Sequence, residues 1–358
     1  MTLPYVTNDE IVQEARRRLH QGAWDYATGG SESETTLRRN RSAFDRVAFR
    51  PRILIDVSHI DPSTTFMGHK LRIPVLLAPI GSLQVFDPEG AIASSRAAGE
   101  FGIVHVVSSV TEPTLEETAA STAAPKIFQL YVHGDTQWTK DILKRVKDAG
   151  YAALCLTVDV AHYSRRERVM VDRWAQPTRR DPPDPRWRGG LTWDLMDQIK
   201  QIGGLPFMLK GVQTAEDAEL AVQHGVDVIW VSNHGGRQMD HGLGSMDTLP
   251  EIVQAAGGRA RIVLDGGVLR GSDIVKAVAM GADAVAIGKL QAWGVAAGGT
   301  AGVVRMLEIL EDEMICSMGL IGVTHTDQLC ATYLTKAEPV TPPHEMSAWV
   351  NMPLARIP

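Results

Sequence analysis

The chain is poor in the features that most readily advertise a function. Only three cysteines occur in 358 residues, Cys155, Cys316 and Cys330. They are far apart and odd in number, which excludes a disulfide framework and fits a reducing compartment. Positive charge is not in excess: 36 Lys and Arg stand against 42 Asp and Glu, for a net charge of −6. A broad nucleic-acid footprint is therefore not expected, and any anion site must be local. No apolar run approaches the roughly 18 residues of a membrane span, and Met1 to His20 is too polar for a signal peptide. A cytoplasmic protein that engages neither membrane nor nucleic acid is expected. His105, His133, His162, His234 and His241 lack a metal-binding spacing, and neither a GxSxG elbow nor a Walker loop occurs. No metal is expected.

What is present is a repeated alternation. Hydrophobic residues make up 44% and charged residues 22%, which excludes a disordered chain. Short apolar runs occur at Val75–Ala78, Ile103–Val107, Ile127–Tyr131, Leu154–Val158, Phe207–Leu209, Val228–Val231, Ile262–Leu264 and Ala284–Ile287. They are nearly continuous in hydrophobicity, as strands buried on both faces should be. Helix patterns lie between them, including Ala91–Phe101 and Ala215–His224, the latter capped by Thr214. Eight strand–helix units predict an α/β fold, a (β/α)8 barrel, over an open doubly wound sheet. Residues 1–70 read as an N-terminal extension packing on a barrel of residues 71–358. The extension carries helices at Ile11–Gln21 and Leu37–Phe44, and a hairpin of Ile53–Asp56 with Leu71–Ile73, beneath or beside the barrel. Trp174–Gly190, dense in Pro, Arg and Asp, reads as a mobile loop at about 170–190. A long helix is expected from Trp293 to about Met318. The Pro-rich tail from Pro339 should pack on the surface or on a partner subunit.

In such barrels the working groups sit at the C-terminal ends of the strands, and polar residues collect there. In strand order they are Pro79-Ile80-Gly81, Ser108, Gln129 and Tyr131, Thr157 and Asp159, Lys210, Ser232 to Arg237, Asp265 to Gly267, and Gly288-Lys289. Each has a plainer reading. Lys210 could be solvated, His234 a satisfied structural histidine, Asp159 a helix cap, Arg165-Arg166 a solvated pair and Tyr26 ordinary helix core. Placed in Ser232-Asn233-His234-Gly235-Gly236-Arg237, His234 gains weight: glycines let backbone approach a ligand, and Arg237 sets a fixed cation beside a titratable base. Asp159 could orient that base. Gly-Gly and Gly-Lys turns after the last two strands suit a phosphate held on backbone N–H groups. Together these features suit a phosphate-bearing cofactor and an anionic substrate that loses a proton.

These residues resemble the FMN-dependent α-hydroxy acid oxidases and dehydrogenases, over about Trp24 to Gly319. The stretches that carry the likeness are Phe49–Val57, Phe128–Val132, Leu156–Val160, Ser164–Glu167, Leu209–Val212, Val231–Asp240 and Leu264–Ala277. The resemblance implies FMN-dependent oxidation of a 2-hydroxy acid to the 2-oxo acid. His234 would be the base, held by Asp159. Arg237 and Arg166, with the Tyr26 hydroxyl, would bind the substrate carboxylate, and Tyr131 the hydroxyl or carboxylate. Lys210 would lie at the flavin N1 and C2 carbonyl edge and Pro79-Ile80-Gly81 along N5. Ser108, Gln129, Thr157 and Ser232 would meet the ring system. Asp265 and Gly267 would hold the ribityl and phosphate, completed by Gly288 and Lys289. It further implies O2 or another electron acceptor and a homo-oligomer, a tetramer or larger. Three departures stand out. Leu269 and Lys289 occupy positions where the family commonly has arginine, so that either FMN is held less tightly or Arg270 takes up the missing role. Gly81 and Val110 replace larger residues, which points to a substrate larger than glycolate, aromatic or branched. The loop after Arg166 is short and should shield the site less. Two other readings remain: a flavin oxidase of a modified amine or peptide on the same fold, and a non-catalytic barrel binding a phosphorylated ligand.

Overall fold

The computed structural model describes residues 4–177, 184–344 and 346–349. Eight parallel strands close on themselves in sequence order: β1 (Val75–Leu77), β2 (Val104–Ser108), β3 (Lys126–Leu130), β4 (Ala153–Thr157), β5 (Phe207–Val212), β6 (Val228–Val231), β7 (Arg261–Leu264) and β8 (Ala284–Ile287). β8 pairs with β1 through Val285–Val75 to Ile287–Leu77. The strands are almost wholly buried because helices cover the outside while a second core fills the inside. Leu76, Val104, Val106, Ile127, Cys155, Met208, Trp230 and Val263 belong to that inner core.

The extension closes both ends. Below, a hairpin of Thr64–Phe66 and His69–Leu71 places Phe66 and Leu71 in the inner core beside residues that open the strands, such as Val104, Ala153 and Val228. The expected hairpin is thus displaced: Ile53–Asp56 forms no strand, and Leu54 is 98% exposed with φ +59. Its apolar triplet suggested a strand, but among the described residues no partner strand pairs with it. Above, helices Gln21–Thr28 and Thr35–Asp45 reach the mouth. The long C-terminal helix, Lys289–Ile321, is two helices joined at Gly298 and Gly299, both non-helical.

Around the expected mobile loop, residues 178–183 lie outside the described residues, while Arg186–Gly189 form a short helix. The tail does not stay on the surface throughout. Trp349 is buried and meets Trp293 edge-on at 6.1 Å. Residue 345 and residues 350–358 lie outside the described residues. No described helix is long and apolar enough to cross a membrane.

Candidate active site

A cavity of about 570 Å³ opens at the C-terminal ends of the strands. Tyr26, Pro79, Ile80, Gly81, Tyr131, Arg166, Lys210, His234, Arg237, Asp265, Gly267, Gly288 and Lys289 all line it. Beneath them runs a belt of buried polar side chains, one from each of six successive strands. The Ser108 hydroxyl donates to Gln129 Oε1 at 3.1 Å, and Gln129 Nε2 donates to Thr157 Oγ1 at 2.9 Å. Lys210 Nζ donates to Ser232 Oγ at 2.7 Å, and that hydroxyl donates to Asp265 Oδ1 at 2.7 Å. The belt exists because the side chains at these strand ends point into the closing barrel, where a polar group must find a partner.

Lys210 is buried, which disfavours its charge, but Asp265 and Asp159 outweigh burial and hold its pKa above the ordinary lysine value. The ammonium lies 3.0 Å from Asp265 Oδ2. It is therefore a fixed positive charge in the floor of the mouth.

His234 hangs on the β6 turn with φ +60. Its Nδ1 is 2.9 Å from Asp159 Oδ1, and its Nε2 is 3.4 Å from the Tyr131 hydroxyl. An ionised Asp159 makes Nδ1 the protonated nitrogen and leaves the Nε2 lone pair facing the cavity. Burial lowers the imidazole pKa, only partly countered by Asp159. Asp159 is itself buried, yet His234 and Lys210 keep it below the usual carboxylate range. A bulge in β5 between Lys210 and Val212 makes room for this pair. Gly211 there has φ +115, and a Cβ on it would lie 2.8 Å from that of Asp159.

Two guanidiniums stand beside His234. Arg166 donates to the Arg237 carbonyl at 3.2 Å and to Gln238 Oε1 at 3.2 Å, and it stacks on Tyr163. Arg237 Nη1 donates to the carbonyls of Tyr26 and Gly29, at 2.5 and 3.0 Å. Burial, then the charge of Arg166, pushes the Arg237 pKa down to about 10. Among the described residues neither arginine pairs with a carboxylate, which leaves their charge for an anionic ligand.

Five expectations meet the structure here, and those for Arg270 and for the segment after Arg166 need correcting. Tyr26 donates its hydroxyl proton to the Gly81 carbonyl at 2.8 Å, so it braces the mouth and carries Arg237 over its ring at 5.0 Å. Arg270 does not line the cavity; it pairs with Glu313 at 2.9 Å, drawn outward by that carboxylate. Lys289 lines the cavity, but its ammonium also donates to the Ala27, Thr28 and Gly29 carbonyls. The segment after Arg166 does cover the site, because Gln176, Asp184, Pro185 and Arg188 line the cavity. The space expected around Gly81 is shared with Val110: a Cβ at residue 81 would lie 3.0 Å from Val110 Cγ2.

Sequence reasoning missed Asn40 and Arg41, which reach the cavity from helix Thr35–Asp45. Asn40 exchanges amide hydrogen bonds with Asn233 at 2.9 and 2.7 Å. Arg41 grips Asp273 at 2.6 and 2.8 Å and the Gly267 carbonyl at 2.8 Å. Gly267, at φ +88, passes so close that a Cβ would lie 2.5 Å from the Asn40 carbonyl oxygen. The signal available was only a polar stripe on an otherwise buried helix.

The phosphate half of the mouth fits a phosphorylated ligand on its own evidence. Gly288 caps the following helix without a side-chain bond, so first-turn N–H groups remain for an anion. The glycine turn Gly266-Gly267 lies on the adjacent strand end and lines the same cavity.

A chain with this barrel and this mouth is an FMN-dependent oxidoreductase acting on a CH–OH group. It belongs to the FMN-dependent dehydrogenase family, whose model matches residues 15–336. It is 39% identical to an L-lactate oxidase of Nostoc sp., over 91% of this chain and 96% of that one. It is 37% identical to the glycolate oxidase of Spinacia oleracea, over 92% and 95% respectively. A crystal structure of a mandelate oxidase variant with 2-hydroxy-phenylacetamide superposes with TM-score 0.87 at 35% identity, covering 94% of this chain and 100% of that one. A variant solved with an FMN adduct superposes at 0.84, with 34% identity, 93% of this chain covered and 100% of that chain.

Proposed function

We propose that this cavity oxidises a 2-hydroxy acid larger than glycolate, aromatic or branched, to its 2-oxo acid, with His234 as the base. The observation that carries the reading is the His234–Asp159 pair set beside Arg166 and Arg237, whose charges no carboxylate among the described residues answers. A planar guanidinium fork suits a substrate carboxylate. Held there, the substrate brings its hydroxyl-bearing carbon to the Nε2 lone pair. His234 accepts a substrate proton at Nε2, and Asp159 stabilises the imidazolium that results. Burial holds the Tyr131 phenol well above its ordinary pKa, so it stays protonated and donates a hydrogen bond to the substrate oxygen. FMN, when bound, takes up the two electrons that leave the substrate.

The backbone of Pro79 to Gly81, the belt of Ser108, Gln129, Thr157 and Ser232, and Lys210 would hold the flavin ring. Asp265, Gly267, Gly288 and Lys289 would hold its ribityl and phosphate. The Lys210 ammonium suits a site where negative charge accumulates on reduction. Gly81 and Val110 both line the cavity, and their small side chains leave more of the mouth to a substrate than larger residues would, which supports the larger acid.

The test adds glycolate, lactate, mandelate and branched 2-hydroxy acids to the holoenzyme without oxygen and follows the flavin absorbance. Bleaching is expected, faster with the larger acids than with glycolate, and air should restore the colour. Failure of every acid to bleach it overturns the reading. Methyl esters of the active acids should be far poorer, because they leave both arginines unanswered.

A further inference from the structure

One cation at the mouth has no role in the reading above. Arg188, from helix Arg186–Gly189, lines the cavity with its guanidinium 4.7 Å from the Tyr131 ring centroid. It hydrogen-bonds His133 Nε2. Burial and the arginine together lower the His133 pKa to about 4, so that ring accepts the bond while neutral and cannot balance the charge. Arg188 Nε is buried without a hydrogen-bond partner among the described residues. A guanidinium offers five N–H donors, and leaving a buried one unanswered is costly.

The described carboxylates nearby are engaged. Asp159 holds His234 and Asp265 holds Lys210. Asp184, which shares the cavity wall, is bound by Arg186. Three guanidiniums therefore line the cavity, Arg166, Arg188 and Arg237, with no protein carboxylate paired to them among the described residues. A monocarboxylic acid supplies one anion, which Arg166 and Arg237 suffice to bind. The phosphate of FMN does not account for the third. Its glycine turns follow β7 and β8, whereas Arg188 follows β4, on the opposite side of the ring of strands.

We propose that Arg188 is a specificity-determining residue that binds a second carboxylate at the far end of the substrate side chain, so that the preferred substrate is a 2-hydroxy dicarboxylic acid. The inference rests on the hydroxy-acid reading above, and in place of its aromatic or branched side chain it puts one that ends in a carboxylate.

The experiment compares 2-hydroxyglutarate with its 5-amide, a neutral analogue of nearly the same shape. Both are given anaerobically to wild-type holoenzyme, and kcat/KM for flavin reduction is measured. A charge-assisted bond predicts a preference for the diacid of about tenfold or more. Arg188→Met should erase the preference, and Arg188→Lys should restore part of it. Equal use of diacid and amide by the wild type overturns the proposal. So does an Arg188→Met enzyme that loses both activities in proportion, which would make Arg188 a mere support for Tyr131. Bleaching by lactate or mandelate but by neither C5 compound sinks the diacid inference alone. Bleaching by no 2-hydroxy acid sinks the proposed function with it.

Discussion

His234 is one of few non-glycine residues with positive φ, a backbone state that survives only where its surroundings impose it. Here Ser232 Oγ accepts its N–H at 3.0 Å and Asp159 fixes its ring. His234→Gln should keep the yellow colour of bound FMN yet lose substrate reduction by about 10²-fold or more, as stopped-flow absorbance will show. In the proposed role His234 works as neutral imidazole, and burial sets its pKa below the ordinary value. kcat/KM should therefore be flat through neutrality and fall only in acid, below the usual histidine range of about 6.5. Asp159 is the group that raises this pKa, so Asp159→Asn should move the acid limb lower still while reducing the plateau. A limb that moves upward would remove Asp159 from its role. His234, Lys210 and Arg237 were legible because barrel strands end in them. Arg188 was not, because a run of Arg, Pro and Asp carries no periodicity to place any one side chain.

At the scale of elements, the loop after β1 and the loop after β2 meet at Gly81 and Val110. Adding one methyl at residue 81 brings it to 3.0 Å from Val110 and 3.6 Å from the Tyr26 hydroxyl. Gly81→Ala should therefore lower kcat/KM for bulky acids about tenfold more than for glycolate, and Gly81→Ala with Val110→Ala should recover part of the loss. Equal losses for small and large acids would show that the methyl acts on the loop rather than on substrate space. The eight strands were readable to within a residue, save β5, which runs three residues past Leu209 through its bulge, because burial on both faces leaves uninterrupted apolar runs. The same criterion misplaced the hairpin: Ile53-Leu54-Ile55 is apolar but exposed, whereas Thr64–Phe66 and His69–Leu71 look polar and bury only alternate residues.

For the whole molecule, a buried ion pair ties helix Thr35–Asp45 to the barrel. Arg41 and Asp273 are almost inaccessible. The arginine stays charged because the Asp273 and Asp45 carboxylates outweigh its burial. Arg41→Met would strand the Asp273 charge and should cost about 3–5 kcal/mol, read as a lower urea midpoint in the FMN-free protein. A change below about 0.5 kcal/mol, the range of ordinary surface substitutions, would show that the extension is held by other means. Barrel topology was legible from alternation alone. The role of the first forty residues in the mouth was not, because their contacts join positions some two hundred residues apart.

Helix Gln21–Thr28 ends with bare carbonyls at the cavity, and cations from two separate strand ends grasp them: Arg237 at Tyr26 and Gly29, and Lys289 at Ala27, Thr28 and Gly29. The proposed substrate arm and the proposed phosphate arm are thereby moored to one post. Anyone re-engineering either arm inherits the other, and libraries that vary positions 26–29, 237 and 289 together should yield active variants that one-at-a-time mutagenesis would discard.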